Sequence, residues 1–360
     1  MRSFPARQLW EGAKGGVFMI AVVFMFKRVH FWMLNARWHS TMQSVLPALL
    51  ALVLTWGGED FHPGFGLLAV FGVFLGHLAA NLLDDYFDFY CQSPEAREKL
   101  LNEGQLARGM KCAYLTGGQT TPARLFGVAA FLCLALLLIG AYLVWQRGWP
   151  IALCAGVGAV LLFFYSAPPF RFSFHGLGEI VVGVIFGPIV MCGVAWSAAG
   201  SLPSEVWILS IPVGLLVMDI LYVHSILDMN PDRQIHKNTL AILCGSPQKG
   251  LVPLAVILLG VYVSTIAAIL LGKISPLFAV VFLSLPLAVA LWRSMTAYAF
   301  HPEKKVVRRR WMGPMEYWDI FVEKGLDWFL FRWFLSRNLE TAFCLLAIAA
   351  AVCFKTGLCR

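Results

Sequence analysis

The sequence predicts an all-α integral membrane protein with nine transmembrane helices arranged as two pseudo-repeated halves. Composition, the spacing of long apolar runs, and a one-sided distribution of basic residues lead to that reading. The 360-residue chain is 59% hydrophobic and 13% charged, with mean hydropathy +0.73. Soluble domains carry about 25% charged residues, so composition alone places this chain in a bilayer. Its nine cysteines are scattered singly, several of them (Cys133, Cys154, Cys192) inside apolar runs. They read as small core residues, with neither the pairing of a disulfide framework nor the spacing of a zinc site.

The chain divides into three parts. Residues 1–37 form a basic, aromatic arm whose apolar piece, Gly15–Phe26, is too short to cross about 30 Å of hydrocarbon. It reads as an interfacial helix. Because Lys27 and Arg28 follow it directly with no small-residue cleavage pattern, it does not read as a signal peptide. Residues 38–300 hold eight spans, expected at Thr41–Trp56, Phe65–Phe89, Ala123–Trp145, Ile151–Tyr165, Leu177–Ala199, Val206–Leu227, Leu251–Leu271 and Pro276–Phe300. Residues 301–360 begin with a basic, aromatic stretch running to Arg337, expected to lie on anionic lipid headgroups. They end with the ninth span, Leu339–Phe354.

Charge orients the bundle. Of the 28 Lys and Arg, only Arg147, Lys273, Lys355 and Arg360 lie on one side of this arrangement. All the others fall in the N-terminal arm, in the loops after spans two, four, six and eight, or at helix ends beside them. The positive-inside rule makes that side cytoplasmic, with the N-terminus inside, as expected for a cell inner membrane. The net charge of +8 is thereby accounted for by topology, and no nucleic-acid partner is implied.

The polar chemistry concentrates at the cytoplasmic ends. In His77–Tyr90, HLAANLLDDYFDFY, the residues Asn81, Asp84, Asp85 and Asp88 fall within about a third of a helix circumference. Three crowded carboxylates repel one another unless a cation sits among them. Hard oxygen ligands suit Mg²⁺, which commonly arrives with a phosphate. A helix leaving the membrane needs only one or two polar residues, so a simple exit signal explains this cluster poorly. The next loop contributes Arg108 and Lys111 in RGMK, then the Gly-Thr-rich LTGGQTTP. The loop after span four, YSAPPFRFSFHGLGE, contains a Pro168–Pro169 pair expected to fix an extended turn and hold Arg171 at the surface.

A second constellation ends span six, in HSILDMNPDRQIHKNTLAIL. Asp228 and Asp232 are four apart, with Arg233 and Lys237 close behind. Pro231 disfavours helix at Asn230, so a strict helical i, i+4 relation is not expected there. Two acid clusters at equivalent helix ends suggest two halves facing each other across a cavity. Together they could hold two Mg²⁺ ions on one diphosphate while Lys and Arg neutralise the remaining charge.

NLLDDYFD resembles the first aspartate-rich motif of the UbiA superfamily of membrane prenyltransferases, and DMNPDRQIHKNTLAIL its second. YSAPPFRFSFHGLGEIVVGVIFGPI is similar to the connecting stretch of the branch that prenylates 1,4-dihydroxy-2-naphthoate. The resemblance covers roughly residues 37–300. It implies a UbiA-type helical bundle and Mg²⁺-dependent transfer of a polyprenyl chain from its diphosphate to an aromatic or lipophilic acceptor, in menaquinone biosynthesis. By position, Asn81, Asp84, Asp85 and Asp88 match the first motif, and Asp228, Asp232 and Lys237 the second. The chain departs from the pattern with Asp84 in place of an Asn, His224-Ser225-Ile226-Leu227 in place of Asn-Asn-x-Arg, and His236 in place of a Gly.

On this reading Asp84, Asp85, Asp88, Asp228 and Asp232 hold metal. Asp85, Asp88, Asp228 and Asp232 are the catalytic residues, and Asn81, Asp84, Arg108, Lys111, Tyr165, Arg171 and Lys237 bind substrate. Tyr86, Phe87 and Tyr165 offer aromatic faces to an allylic cation. Other acceptors of the superfamily, such as 4-hydroxybenzoate, chlorin or a glycerol lipid, are the alternatives. The Asp84–Asp88 string also fits the DDxxD of soluble isoprenyl diphosphate synthases, but nine spans oppose that. An ion-coupled transporter would use Asp219 inside span six; that residue lies on the opposite helix face from Asp228, and the clusters sit at helix ends instead of mid-bilayer.

Overall fold

The computed structural model describes residues 25–91 and 112–357. They form ten principal helices. These are α1 (25–35), α2 (Met42–Leu54), α3 (Pro63–Cys91), α4 (Pro122–Arg147), α5 (Trp149–Ser166), α6 (Gly178–Ala199), α7 (Ser204–Leu227), α8 (Pro247–Leu270), α9 (Pro276–Phe300) and α10 (Asp327–Thr356). Among the described residues there is no β-strand, only an isolated parallel bridge between His175 and Asn238. The expected interfacial helix falls, except for its last two residues, outside the described residues, as do Arg108 and Lys111.

Local sequence explains where the helices begin and end. Thr121, Ser246 and Ser275 each turn a side-chain oxygen to a backbone N–H of the following turn, and a proline comes next in all three cases. A side-chain cap plus a proline at the first helical position uses groups that would otherwise be unpaired. Gly148 and Gly200, at φ 88° and 65°, break the chain between α4 and α5 and after α6. Arg147 then ties the far-side turns together, donating to the carbonyls of Asp60, Ser197 and Ala198.

Eight of the helices, α3 to α10, are long and apolar enough to cross a membrane. The expected first span is different. Met42–Leu54 has 13 residues, about 20 Å of helix, and stays short of a crossing even with the 3-10 turn Trp38–Ser40 before it. It is enclosed by protein, with Ala48, Leu50 and Ala51 at 0% exposure, so it need not match the bilayer thickness. In α7, 67% of the span window is buried, against 11% in α4 and in α5. The central helix is therefore the one carrying Asp228 at its end, while α4 and α5 present Leu134, Leu137, Leu138 and Val160 outward.

The last helix corrects the sequence reading. It starts at Asp327, so the stretch expected on lipid headgroups up to Arg337 is partly inside the protein. Phe329, Phe331, Phe334 and Leu335 are buried, and the charges among them have protein partners. Arg332 donates to the Ser294 carbonyl and lies over the Tyr298 ring. Arg337 clamps Glu316 at 2.9 and 3.2 Å, and Asn338 holds the carbonyls of Met312 and Pro314. These polar side chains fasten the 310–317 loop to the bundle.

Close approach of α6 to α7 depends on three glycines. A Cβ on Gly214 would meet the Gly183 carbonyl oxygen at 2.7 Å, and one on Gly187 would meet the Ser210 oxygen at 2.5 Å. Backbone packs against backbone here, as small residues permit between membrane helices. Around Gly187 α6 widens into a π-turn, Ile185–Ile189, which also contains Pro188. Replacing Gly214 by Val should force α6 and α7 apart and destabilise the protein by about 1–3 kcal/mol, read as a lowered unfolding temperature in detergent. Gly127→Ala, which meets nothing within 4 Å, is the neutral comparison. Equal behaviour of the two variants would show that the contact is not needed.

Candidate active site

The C-terminal ends of α3 and α7 open onto one cavity of about 700 Å³. Asn81, Asp84 and Asp85 line it from α3, and Asp228, Asp232 and Lys237 from the end of α7 and the loop beyond. Both acid clusters therefore face the same space. Asp88 is buried at 2% exposure one turn further along α3.

Pro231 does not break the second cluster. Residues Met229–Gln234 form a short helix with Pro231 as its third residue, within the first turn, where a missing N–H costs nothing. The Asp232 amide donates to the Asp228 carbonyl at 2.9 Å, so the i, i+4 relation holds after all. The Lys237 amide in turn donates to the Asp232 carbonyl at 2.9 Å, folding the basic residue back toward the acids.

Arg37 is the cation of the first cluster. Its Nη2 lies 3.0 Å from Asp85 Oδ1, 3.7 Å from Asp84 Oδ2 and 2.9 Å from the Asn81 carbonyl. Desolvation opposes charge on the guanidinium, but Asp85 and Asp84 outweigh it and hold its pKa above the ordinary value. Asp85 also accepts from the Tyr114 hydroxyl at 3.0 Å. Burial, followed by the Asp85 charge, pushes that phenol's pKa up, so Tyr114 stays protonated as a donor. Asp84 accepts from Ser166 at 2.7 Å. Asn81 spends its side-chain amide on the Ala36 carbonyl and Ser40 Oγ, at 2.8 and 3.3 Å, which fastens α3 to the Arg37 turn.

The loops after α5 and α7 are joined by the His175–Asn238 bridge. That junction sets Arg171 and Lys237 against the Phe174 ring, at 4.6 and 5.6 Å from its centroid. Arg171 is thus half-buried on an aromatic ring and not held out at the surface as the proline pair suggested. Tyr165 lines the cavity, as expected. Tyr86 and Phe87 do not belong to the lining. They sit on the other flank of α3, where Tyr86 packs on Phe126 and Phe87 on Phe163. Asp219 is fully buried and bonded to Ser336 of α10, outside the cavity wall.

Sequence reasoning missed Arg37, Tyr114, Ser166 and Glu179. Glu179 lines the cavity at 2% exposure, with one carboxylate oxygen lacking a hydrogen-bond partner. The GLGE string was noticed for its family pattern, but nothing in spacing pointed this carboxylate inward.

The family model described as the UbiA prenyltransferase family matches residues 44–318. The chain belongs to that family. The 1,4-dihydroxy-2-naphthoate octaprenyltransferase of Bacillus subtilis (strain 168) is 27% identical over 256 residues, covering 71% of this chain and 78% of the relative. The 2-carboxy-1,4-naphthoquinone phytyltransferase of Synechocystis sp. (strain ATCC 27184 / PCC 6803 / Kazusa) is 26% identical over 191 residues, 53% of this chain and 61% of the relative. Among solved structures, a UbiA homolog from Aeropyrum pernix K1 superposes with TM-score 0.59 at 16% identity, over 88% of this chain and 98% of the other. One from Archaeoglobus fulgidus bound to GPP and Mg²⁺ gives TM-score 0.54 at 12% identity, over 89% and 99%. The protein is a UbiA-family membrane prenyltransferase with the UbiA fold.

The Arg37–Asp85–Tyr114 unit is testable apart from turnover. Tyr114→Phe removes a hydrogen bond to a buried carboxylate and should destabilise the protein by about 1.5–3 kcal/mol. In an Asp85→Asn background the same change should cost clearly less, because its partner's charge is gone. Additive losses in chemical denaturation would show that Tyr114 and Asp85 do not act together.

Proposed function

We propose that this UbiA-family enzyme catalyses Mg²⁺-dependent transfer of a polyprenyl chain from its diphosphate to an aromatic acceptor, 1,4-dihydroxy-2-naphthoate first among candidates. The observation that carries this is the joint cavity. Two acid clusters and Lys237 share its lining with apolar side chains such as Leu162, Val182 and Val217. A charged head and an apolar chain would each find a matching environment there. The naphthoate preference draws on the names of the relatives from Bacillus subtilis and Synechocystis and on the GLGE and TLAIL stretches.

The residues fit Mg²⁺. The candidate donors are carboxylate oxygens throughout, the hard ligands that Mg²⁺ prefers. Among the described residues no three His, Cys, Asp or Glu side chains converge to hold a metal ion by themselves. Mg²⁺ is commonly held by one or two carboxylates together with substrate phosphates, which this arrangement allows. Asp84, Asp85, Asp228 and Asp232, which line the cavity, would hold it together with Asp88 one turn behind them, while Asp85 also accepts from Arg37 and Tyr114. The bound metal would draw negative charge onto the leaving diphosphate.

The protein's own groups supply the remainder. Lys237 and Arg37 neutralise charge as the allylic C–O bond breaks and its electron pair leaves with the diphosphate. Tyr165 presents a π face to the allylic carbon. The helical bundle excludes water, which would otherwise capture the cation. The cytoplasmic side of an inner membrane is the location we assign, from the distribution of basic residues.

Purified protein in lipid should transfer label from a radiolabelled polyprenyl diphosphate to dihydroxynaphthoate in preference to 4-hydroxybenzoate. Excess EDTA should abolish the transfer, and Asp228→Asn should lower it by roughly 10²–10³-fold. Full turnover in metal-free buffer would overturn the metal assignment. Transfer only to a glycerol lipid or a chlorin would overturn the acceptor assignment.

A further inference from the structure

Between Phe300 at the end of α9 and Asp327 at the start of α10 the chain carries a basic strip that the prenyl-transfer site does not use. Lys304, Lys305, Arg308, Arg309 and Arg310 fall within seven positions, and no acid stands between Lys304 and Met315. All five are exposed. The flanking carboxylates face other partners, Glu303 at 3.8 Å from His301 and Glu316 at 2.9 Å from Arg337. Like charges set this close together raise the local potential, and an anion from outside the chain relieves it.

The packing holds this strip in place with its charges outward. Val306 packs against the main apolar core and Met312 is buried, which fixes the chain on both sides of the arginine run. Arg308 lies over the Trp318 ring at 5.9 Å, and Trp318 meets Phe331 of α10 edge-on. Exposed apolar side chains are interleaved with the cations: Val307 is 67% exposed, Trp311 52% and, a little further on, Tyr317 65%.

The helices on either side set its level relative to the bilayer. Both α9 and α10 are long and apolar enough to cross a membrane, so residues just beyond the end of α9 lie where hydrocarbon gives way to headgroups. Phe329, in the first turn of α10, lines the cavity, which puts the strip on the side where α3 and α7 end. Exposed Lys and Arg mixed with exposed Trp, Tyr and Val suit the headgroup layer. Charged tips reach phosphate there, while rings and aliphatic stems rest on the acyl boundary. A water-soluble acidic partner would match the charge but not the apolar side chains between.

We propose that residues 304–311 form a docking surface for the headgroups of anionic phospholipids. The cations take the phosphodiester, and Val307 and Trp311 enter the layer beneath it. The strip is joined to the wall of the cavity. Arg337 and Asn338 of α10 hold Glu316 and the carbonyls of Met312 and Pro314, and Phe329, Leu330 and Trp333 of the same helix line the cavity. Lipid that binds the folded protein in this place stabilises it by mass action, so anionic lipid should also raise the unfolding temperature.

The test titrates purified full-length protein in uncharged detergent with fluorescent phosphatidylglycerol or phosphatidylcholine. Wild type should bind phosphatidylglycerol at least about tenfold more tightly, and added salt should shrink that preference. Combining Lys304→Gln, Lys305→Gln, Arg309→Gln and Arg310→Gln should abolish it. Combining Lys27→Gln, Arg28→Gln, Arg124→Gln and Lys249→Gln removes the same charge elsewhere and should leave the preference within about threefold of wild type. All eight side chains are exposed. Should the strip variant fail to fold, Lys304→Glu with Lys305→Glu makes the same net charge change through two positions. An unchanged preference in the strip variant, or an equal loss in both quadruple variants, would overturn the docking surface. Weakened binding of a polyprenyl thiolodiphosphate with phosphatidylglycerol binding intact would also overturn it, giving the strip to the donor instead.

Discussion

Carboxylates gathered at one end of an apolar bundle need positive charge close by, and the architecture around this site answers that requirement. Asp85 and Asp88 are 3% and 2% exposed, and Asp228 and Asp232 are 4% and 3%. Removing such groups from water is costly unless cations or donors replace the lost hydration. On the α3 side the replacement is Arg37, with Tyr114 and Ser166 as donors. On the α7 side His224 stands 3.6 Å from Asp228, and Lys237 lines the same cavity, its backbone amide bonded to the Asp232 carbonyl. A metal-bound diphosphate would extend the same compensation into the cavity between them.

The requirement reaches into the packing. Bringing the end of α7 opposite that of α3 places α7 at the centre of the bundle. The Gly183–Gly214–Gly187 contact lets α6 lie directly against it. That contact carries Glu179 to the head of the cavity and, through the π-turn, Phe186 to its depth beside His77. One interhelical contact thus sets both the polar mouth and the aromatic interior. The helix α10 adds Phe329, Leu330 and Trp333 to the lining.

Much of this was legible in the sequence, for physical reasons that particular residues make clear. Asn81, Asp84, Asp85 and Asp88 could be read together because a helix has a fixed period. Asp228 and Asp232 could be read as a second cluster, although the effect of Pro231 was overestimated because its position in a first turn was not visible. Arg37 was not legible as the partner of Asp85, since 48 residues separate them and no periodicity connects them. The start of α10 was misread because charges in a helix ordinarily mark a solvated face, whereas Arg332 and Arg337 have partners on neighbouring elements. The shortness of α2 was hidden in the same way, since an apolar run looks alike whether protein or lipid surrounds it.

The central claim is that the two acid clusters form one metal-dependent site for a diphosphate head. Equilibrium binding of an unreactive polyprenyl thiolodiphosphate to the purified protein tests it most directly, since no acceptor is involved. The account predicts saturable binding with Mg²⁺ that weakens at least about tenfold in EDTA. It predicts a comparable loss with Mg²⁺ present when Asp84→Asn on α3 is combined with Asp228→Asn at the end of α7. Binding that is equally tight without metal and in the double variant would contradict it.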